Sequence, residues 1–281
     1  MSSWTLECSA CGAATAGSGR ASVCTACGQA LLVRLDEFPA AGTDLLPRWD
    51  MWRYSAMLPL REGEAPISLG EGCTPLVELP TLAAELDIRR LWVKDEGLNP
   101  TGSFKARGMS AAVTRALALG VPGLVVPTAG NAGAALAAYG AAARLPIRVY
   151  APETTPPGIL ATITALGAEL CLVPGHIGDA GAAARAFAKD SSYFDVSTLR
   201  EPYRIEGKKT MGAELAEQLG WRLPEAIVYP TGGGTGLIGM WKVFGELASA
   251  GWIEARTRGP RMVTAQAAGC APIVRAFAEG A

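Results

Sequence analysis

The chain has one histidine, His176, and six lysines among its 281 residues. A single imidazole cannot build a multi-histidine metal centre. A Ser-His-Asp triad would have to use this residue, which stands in the Gly-rich stretch "VPGHIGDAG" and reads as a solvated loop position. Surplus positive charge is missing too: the formal net charge is −1, so no basic field draws the protein to nucleic acid or to an anionic membrane surface. No apolar run spans a bilayer, because the longest candidate, residues 121–143, is broken by Gly, Pro and Asn. The opening "MSSWTLECSA" lacks the basic region and apolar core of a secretory signal. Seven cysteines, an odd number, without such a signal point to a reducing cytoplasm and not to a disulfide framework.

What is present is apolar and glycine-rich. With 49% hydrophobic residues, the chain can bury one large core or two modest ones. Residues 1–36 stand apart, being rich in Cys, Gly and Ser and without helical periodicity. There, Cys8-x-x-Cys11 and Cys24-x-x-Cys27 each run directly into a glycine. Two such knuckles suit a tetrahedral four-cysteine zinc site with every position filled by protein, so its role would be structural. Neither pair follows a strand of a βαβ unit, which argues against redox chemistry. Cys73, Cys171 and Cys270 show no ligand spacing and are expected in or near the core. Residues 44–65 read as a connector that packs aromatics onto the rest.

From residue 91 onward, strands of four to seven apolar residues alternate with helices of ten to fifteen. Examples are "LWVKDE", "GLVVPT", "PIRVYAP", "AELCLVP", "AIVYPT" and "RMVTAQ", separated by helical stretches. This pattern predicts an α/β fold of parallel sheets covered on both faces. Ligands of such sheets bind beyond the carboxyl ends of the strands, which directs attention to three strand-to-helix turns.

In "YPTGGGTGLIG" a strand gives way to four glycines and two threonines, then to a helix. Converging backbone N–H groups and the helix dipole make a phosphate cradle there. The same stretch fits G-x-G-x-x-G, but the following strand ends in Gln266 and not in the acidic residue a dinucleotide ribose needs, and Glu254 precedes that strand. In "VVPTAGNAGAALAAY" the loop Thr128–Gly130 can hold a carboxylate and Asn131 offers an amide, although the stretch serves equally as an ordinary helix cap. In "NPTGSFKARG" Ser103 is placed as an N-cap and Lys105 in the first helical turn. The dipole disfavours a cation there. Together with partial burial it favours the neutral amine, the form that condenses with an aldehyde. The remaining lysines fit less well: Lys94 is in a strand, Lys189, Lys208 and Lys209 are in surface-like text, and Lys242 is a turn into its helix. A phosphate cradle, a neutral amine and a carboxylate loop on one sheet edge suit pyridoxal 5′-phosphate with an amino-acid substrate.

The motifs "EGLNPTGSFKARG", "PTAGNAGAALAAYG", "EGKKTMGAELAEQLGW", "YPTGGGTGLIGMWK" and "AAGCAPIVRAF", in this order, resemble the threonine synthases, a branch of the tryptophan-synthase-β-like (fold type II) pyridoxal-phosphate enzymes. The resemblance runs from Glu71 to the last residue. It implies two parallel-sheet, three-layer domains: residues 37–104 and 206–281 would form the large one, and 105–205 a small inserted one. Residues 1–36 would be the zinc-ribbon-like segment that some threonine synthases carry.

Further expectations follow from the resemblance residue by residue. Lys105 is the imine-forming lysine and the base that moves protons on the substrate, with Phe104 beside the cofactor ring. Asn131 binds the ring's 3′-oxygen, while Gly232, Gly233, Gly234, Thr235 and Gly236 hold the phosphate. Thr128, Ala129 and Gly130 take the substrate carboxylate, and Arg107, Lys208 and Lys209 are candidates for a substrate phosphate. The implied reaction converts O-phospho-L-homoserine and water to L-threonine and phosphate. A threonine or serine dehydratase, or a diaminopropionate ammonia-lyase, would use the same scaffold, and a dinucleotide oxidoreductase or ligand-binding remnant is the reading from another class. Many relatives pair as homodimers. The resemblance also implies further strands, and a Ser or Thr at the pyridine nitrogen, that lie beyond Ala281. The C-terminal part of the large domain is therefore expected to be missing, leaving weak cofactor binding, impaired catalysis and an exposed sheet edge prone to aggregation.

Overall fold

Alternation of Trp4, Leu6 and Cys8 with Thr5 and Glu7 makes the first strand amphipathic, and the computed structural model, which describes residues 3–17, 19–254 and 259–280, buries the apolar set. Strand β1 (Trp4–Cys8) pairs antiparallel with both β2 (Ala14–Ala16) and β3 (Leu31–Leu35). The face carrying Trp4, Leu6, Leu31 and Val33 packs on Tyr203, far along the chain. Between them lies Arg115, its guanidinium 4.6 Å from the Trp4 ring and 5.6 Å from that of Tyr203. The ribbon is thus docked on the body by aromatic and cation–π contact.

The connector carries a 3₁₀ segment, Met51–Met57, whose Trp52 and Tyr54 are buried as its composition suggested. The Trp52 indole N–H donates to Ser110 Oγ at 2.9 Å, which ties the segment to the core. Next come β4 (Leu76–Glu78), α1 (Pro80–Glu85) and β5 (Trp92–Lys94). β4 and β5 pair antiparallel, which corrects the expectation of parallel sheets throughout. The short α1 reverses the chain instead of carrying it across the sheet, as a parallel connection requires.

A regular α/β unit follows: α2 (Lys105–Ala118), β6 (Leu124–Pro127), α3 (Asn131–Ala143), β7 (Ile147–Pro152), α4 (Pro157–Ala165), β8 (Glu169–Val173), α5 (Ile177–Asp190) and β9 (Phe194–Asp195). Its four strands are all parallel, in the order β8-β7-β6-β9. Successive residues of β7 point to opposite faces. Val149 packs with α3 and α4 in the main apolar cluster, while Tyr150 meets Phe187 of α5 at 6.2 Å between ring centroids. Both faces are therefore covered, as predicted. The chain progresses from β6 through β7 to β8 and then returns to the other side of β6, so the switch point lies between β6 and β9. This is where an open parallel sheet leaves a crevice.

The last part contains α6 (Tyr203–Gln218), β10 (Ala226–Pro230), α7 (Thr235–Ser249), β11 (Arg261–Ala265) and α8 (Pro272–Glu279). The boundary drawn at 205/206 falls inside α6, which starts at Tyr203. β10 and β11 form a parallel pair with no further strand among the described residues, and Val228 and Val263 stand 69% and 44% exposed on it. The pair thus presents apolar side chains to solvent.

Helix α6 is buried on every side from Tyr203 to Ala216, packed between α2 and α7. Glycines make this approach possible. A Cβ on Gly239 would lie 2.9 Å from the Lys209 amide, and one on Gly212 would lie 2.6 Å from Val243. Arg20 of the ribbon donates to the Gly120 carbonyl at 2.8 Å, satisfying an acceptor at the end of α2.

Candidate active site

Two of the three turns meet directly, and the third lies beside them. Helix α2 opens at Lys105 and α7 at Thr235, and Phe104 bridges the two ends. The Phe104 ring stands edge-on to Tyr229 with centroids 5.8 Å apart, and a Cβ on Gly236 would lie 3.0 Å from it and collide with the Tyr229 hydroxyl. Only glycine fits at 236. Gly234 caps α7 with φ +78°, a conformation a side chain would strain. Gly233 lies against Thr198, in the loop after β9, while Gly232 faces open space. The glycine loop Gly232, Gly233, Gly234, Thr235 and Gly236 thus leads into the N-terminus of α7, next to the switch point. In the third turn the Thr128 hydroxyl accepts from the Gly130 N–H at 3.0 Å, Ala129 and Asn131 are exposed, and α3 packs on the Pro100–Gly102 turn that leads to Phe104.

Ser103 is not the helix cap expected of it. Phe104 occupies that position without a side-chain bond, and the Ser103 hydroxyl is buried with no partner. The Tyr229 hydroxyl is likewise buried without a partner. These two hydroxyls lie beside the start of α2 and the glycine loop, where a bound group could accept from them.

Lys105 is half-buried, its Nζ 4.0 Å from the Phe104 centroid. Burial, and then the charge of Arg204, bring the amine down to about 8. The expected neutral amine is favoured by desolvation more than by anything else. Arg204 and Lys208, one turn apart on α6, complete a cationic cluster; Lys208 was expected as a candidate for a substrate phosphate, while Arg204 was not foreseen. Arg204 donates to the Val196 carbonyl at 2.6 Å, and Lys208 donates to the Thr235 hydroxyl. Among the described residues none of these three cations is ion-paired. Glu201 faces the pocket, accepting from the amides of Tyr203 and Arg204 at 2.7 and 2.8 Å, and burial raises it to about 7. Arg204 was legible only as part of an all-buried helix, whose signal is the facing glycines, not a hydrophobic stripe.

Arg107 and Lys209, expected as substrate-phosphate ligands, are engaged elsewhere. Arg107 is fully buried between Glu96 at 2.7 Å and Glu214 at 3.0 Å. Lys209 lies between Glu206 at 2.7 Å and Glu246 at 3.0 Å, and Lys242 joins the same pair of acids. Lys94 is bonded to Glu214. Lys208 and Lys209 are thus core residues and not surface text, and Lys242, within its helix as expected, is buried with them. Gln266, where a dinucleotide fold would place an acid, accepts from the amides of Ile273 and Val274 and donates to the Thr231 carbonyl at 3.1 Å, locking α8 to the glycine loop. His176 is exposed at the start of α5, as expected; Cys270 is exposed, contrary to expectation.

At the ribbon, the sulfurs of Cys8, Cys11, Cys24 and Cys27 all lie within 4.8 Å of one another. Cys8 and Cys27 are 3.4 Å apart, and Cys11 and Cys24 are 3.7 Å apart. Four thiolates around one zinc at ~2.3 Å would stand about 3.8 Å apart, so the cluster has the right size. Gly12 and Gly28 donate their amides to the carbonyls of Cys8 and Cys24 in two matching turns. The amides of Cys11 and Ala10 lower the Cys8 thiol to about 6, whereas Cys27, despite the Gln29 amide, is pushed up to about 12 by the Cys8 thiol and burial, so without a metal the four sulfurs share their protons unequally.

Residues 67–281 match the family model described as "Pyridoxal-phosphate dependent enzyme". The chain is 38% identical over 232 residues to the threonine synthase of Methanosarcina acetivorans, covering 82% of this chain and 56% of that protein. To the threonine synthase of Mycobacterium leprae it is 37% identical over 222 residues, or 79% and 60% of the two chains. It thus spans somewhat over half the length of these relatives. Among solved structures, an O-ureido-L-serine synthase superposes with a TM-score of 0.61 at 28% identity, covering 72% of this chain and 63% of that one. Maize serine racemase does so at 0.63 and 21%, covering 74% and 60%. With three quarters of its length matched by that family model, and with an amine, a glycine cradle and unpaired cations gathered at one switch point, the chain belongs to the pyridoxal-phosphate-dependent enzymes.

Proposed function

We propose that the chain belongs to a threonine synthase, converting O-phospho-L-homoserine and water to L-threonine and phosphate. The observation that carries this reading is the unpaired cationic pocket. Lys105, Arg204 and Lys208 gather beside the glycine loop, which Lys208 reaches through Thr235, and no carboxylate pairs with any of them; Glu201 and Asp195 act on Arg204 only at longer range. A cofactor phosphate alone calls for one cationic seat; a phosphorylated substrate calls for a second. Dehydratases and ammonia-lyases, whose substrates carry no phosphate, leave that second seat unexplained. Identities of 36–39% to threonine synthases support the same choice.

Pyridoxal phosphate would supply the aldehyde and the electron sink. The protein's share is physical. Burial and then Arg204 bring Lys105 down to about 8, so a usable fraction of neutral amine is present near neutral pH, and its Nζ can bond to an aldehyde carbon and can accept and return protons. Gly232, Gly233, Gly234, Thr235 and Gly236 present backbone N–H groups to a phosphate, and Phe104 offers a ring face beside them. Thr128, Ala129 and Gly130 would take the carboxylate, and Asn131 would donate to the ring oxygen. The Cys8, Cys11, Cys24 and Cys27 cluster would bind a structural zinc, measurable as about one equivalent per chain in the purified protein and lost in Cys11→Ser.

Borohydride reduction after mixing with pyridoxal phosphate should fix the label on Lys105, seen by peptide mass, and Lys105→Ala should show neither label nor yellow colour. Label elsewhere would sink the assignment. Release of phosphate from O-phosphohomoserine, as against ammonia from threonine or serine, separates the synthase from its sister enzymes.

A further inference from the structure

We infer that Lys208 is the cationic partner of the cofactor's phosphate, closing the glycine cradle from the side of α6. This rests on the pyridoxal-phosphate reading above and assigns a residue that neither the glycine motif nor the lysine motif contains. Lys208 is 2% exposed and lies over the Phe104 ring, its Nζ 4.9 Å from the centroid. Lys105 Nζ stands 4.0 Å from the same ring, so the two amines share one small space. The Lys208 stem is fixed in place: a Cβ on Gly108 would lie 3.0 Å from its Cε and 3.1 Å from the Arg204 carbonyl.

An ammonium has three protons to donate. The one bond made by Lys208 goes to the hydroxyl of Thr235, the first residue of α7 and a member of the cradle. Its neighbour Lys209 is surrounded by the carboxylates of Glu206 and Glu246. Lys208 has no carboxylate within ion-pair distance among the described residues. Leaving a buried amine in that state is costly unless an anion arrives. Burial, then the charges of Arg204 and Lys105, hold it well below the ordinary lysine range, and Glu201 opposes them weakly. A phosphate at the N-terminus of α7 would find the glycine amides, the Thr235 hydroxyl and the Lys208 amine together, and its charge would restore the proton on Lys208. The tie to Thr235 makes this seat the cofactor's and not the substrate's.

The test compares pyridoxal phosphate with pyridoxal, which has the aldehyde but no phosphate, by absorbance titration and borohydride trapping on Lys105. Lys208→Gln should weaken pyridoxal phosphate about 10- to 100-fold, the range for a charge-assisted hydrogen bond, and leave pyridoxal unchanged. Lys208→Arg should recover part of the loss. Thr235→Val removes a neighbouring donor and should cost a smaller factor; if Lys208→Gln melts below the assay temperature, Lys208→Met, which keeps the buried stem and removes the charge, carries the test. Unchanged pyridoxal phosphate affinity in Lys208→Gln, with or without a raised KM for the phosphorylated substrate, overturns the assignment. So does an equal loss for both aldehydes. In either case Lys105 labelling in the unmodified protein stands, and only its absence would count against the wider reading.

Discussion

Two sets of buried charges lie within the same three-helix layer and are built on opposite rules. In the first, every base has acids. Arg107 sits between Glu96 and Glu214, Lys94 leans on Glu214, and Lys209 and Lys242 share Glu206 and Glu246. In the second, Lys105, Arg204 and Lys208 gather with no such partners. Burial acts on both sets, but only the first has neutralised it. The lesson is that where this fold needs stability it supplies the counter-charge itself, and where it needs an anionic ligand it omits one.

Breaking a compensated cluster should give the largest effect. Burial alone would raise Glu214, but Arg107 and then Lys94 overcome it and hold the carboxyl at about 2. Its stabilising contribution is therefore complete above the ordinary 4.5 and is lost as pH falls toward 2. Glu214→Ala would also orphan the amides of Cys73 and Thr74, which it accepts at 2.9 and 2.7 Å. A loss of about 3–5 kcal/mol in urea unfolding is expected. A loss under about 1 kcal/mol would mean the cluster is no more structural than a surface pair.

The second prediction concerns the uncompensated pocket. Lys105 is lowered from 10.5 to about 8, so between those values the unfolded chain holds a proton the folded chain has lost, and this group makes stability rise with pH across that window. The rate of covalent labelling by pyridoxal phosphate should climb with pH and reach half its maximum near 8. Because Arg204 is the second cause of the shift, Arg204→Gln should move that midpoint upward. A midpoint near 10.5 in the unmodified protein would remove the contrast between the two regions. The smallest effect serves as the control. Arg89 and Glu225 form an ion pair at 3.2 Å with side chains 86% and 78% exposed, and Arg89→Gln should change stability by about 0–1 kcal/mol in the same unfolding assay.

Much of the fold was legible residue by residue. The helices Lys105–Ala118 and Ile177–Asp190 and the strands Leu124–Pro127 and Ile147–Pro152 fall where apolar period and glycine stops put them. The glycine loop, Lys105 and the cysteine knuckles were legible because each is a local motif whose chemistry depends on neighbours in the chain. The first turn of α6 was missed, and with it Arg204, because a helix buried on all sides carries charged residues in the core and shows no polar face to mark it; Lys208 was named, but its burial was not. The antiparallel β4–β5 pair was missed because a three-residue strand says nothing about its partner's direction.

By itself, then, the sequence determined where strands turn into helices and which amine, glycines and cysteines stand at those turns, since these depend on backbone freedom and spacing over a few residues. Only the tertiary structure decided which of two adjacent lysines was neutralised. Lys208 and Lys209 differ by one position along α6, and the rotation of that single step turns one toward two carboxylates and the other toward a cradle that lacks them.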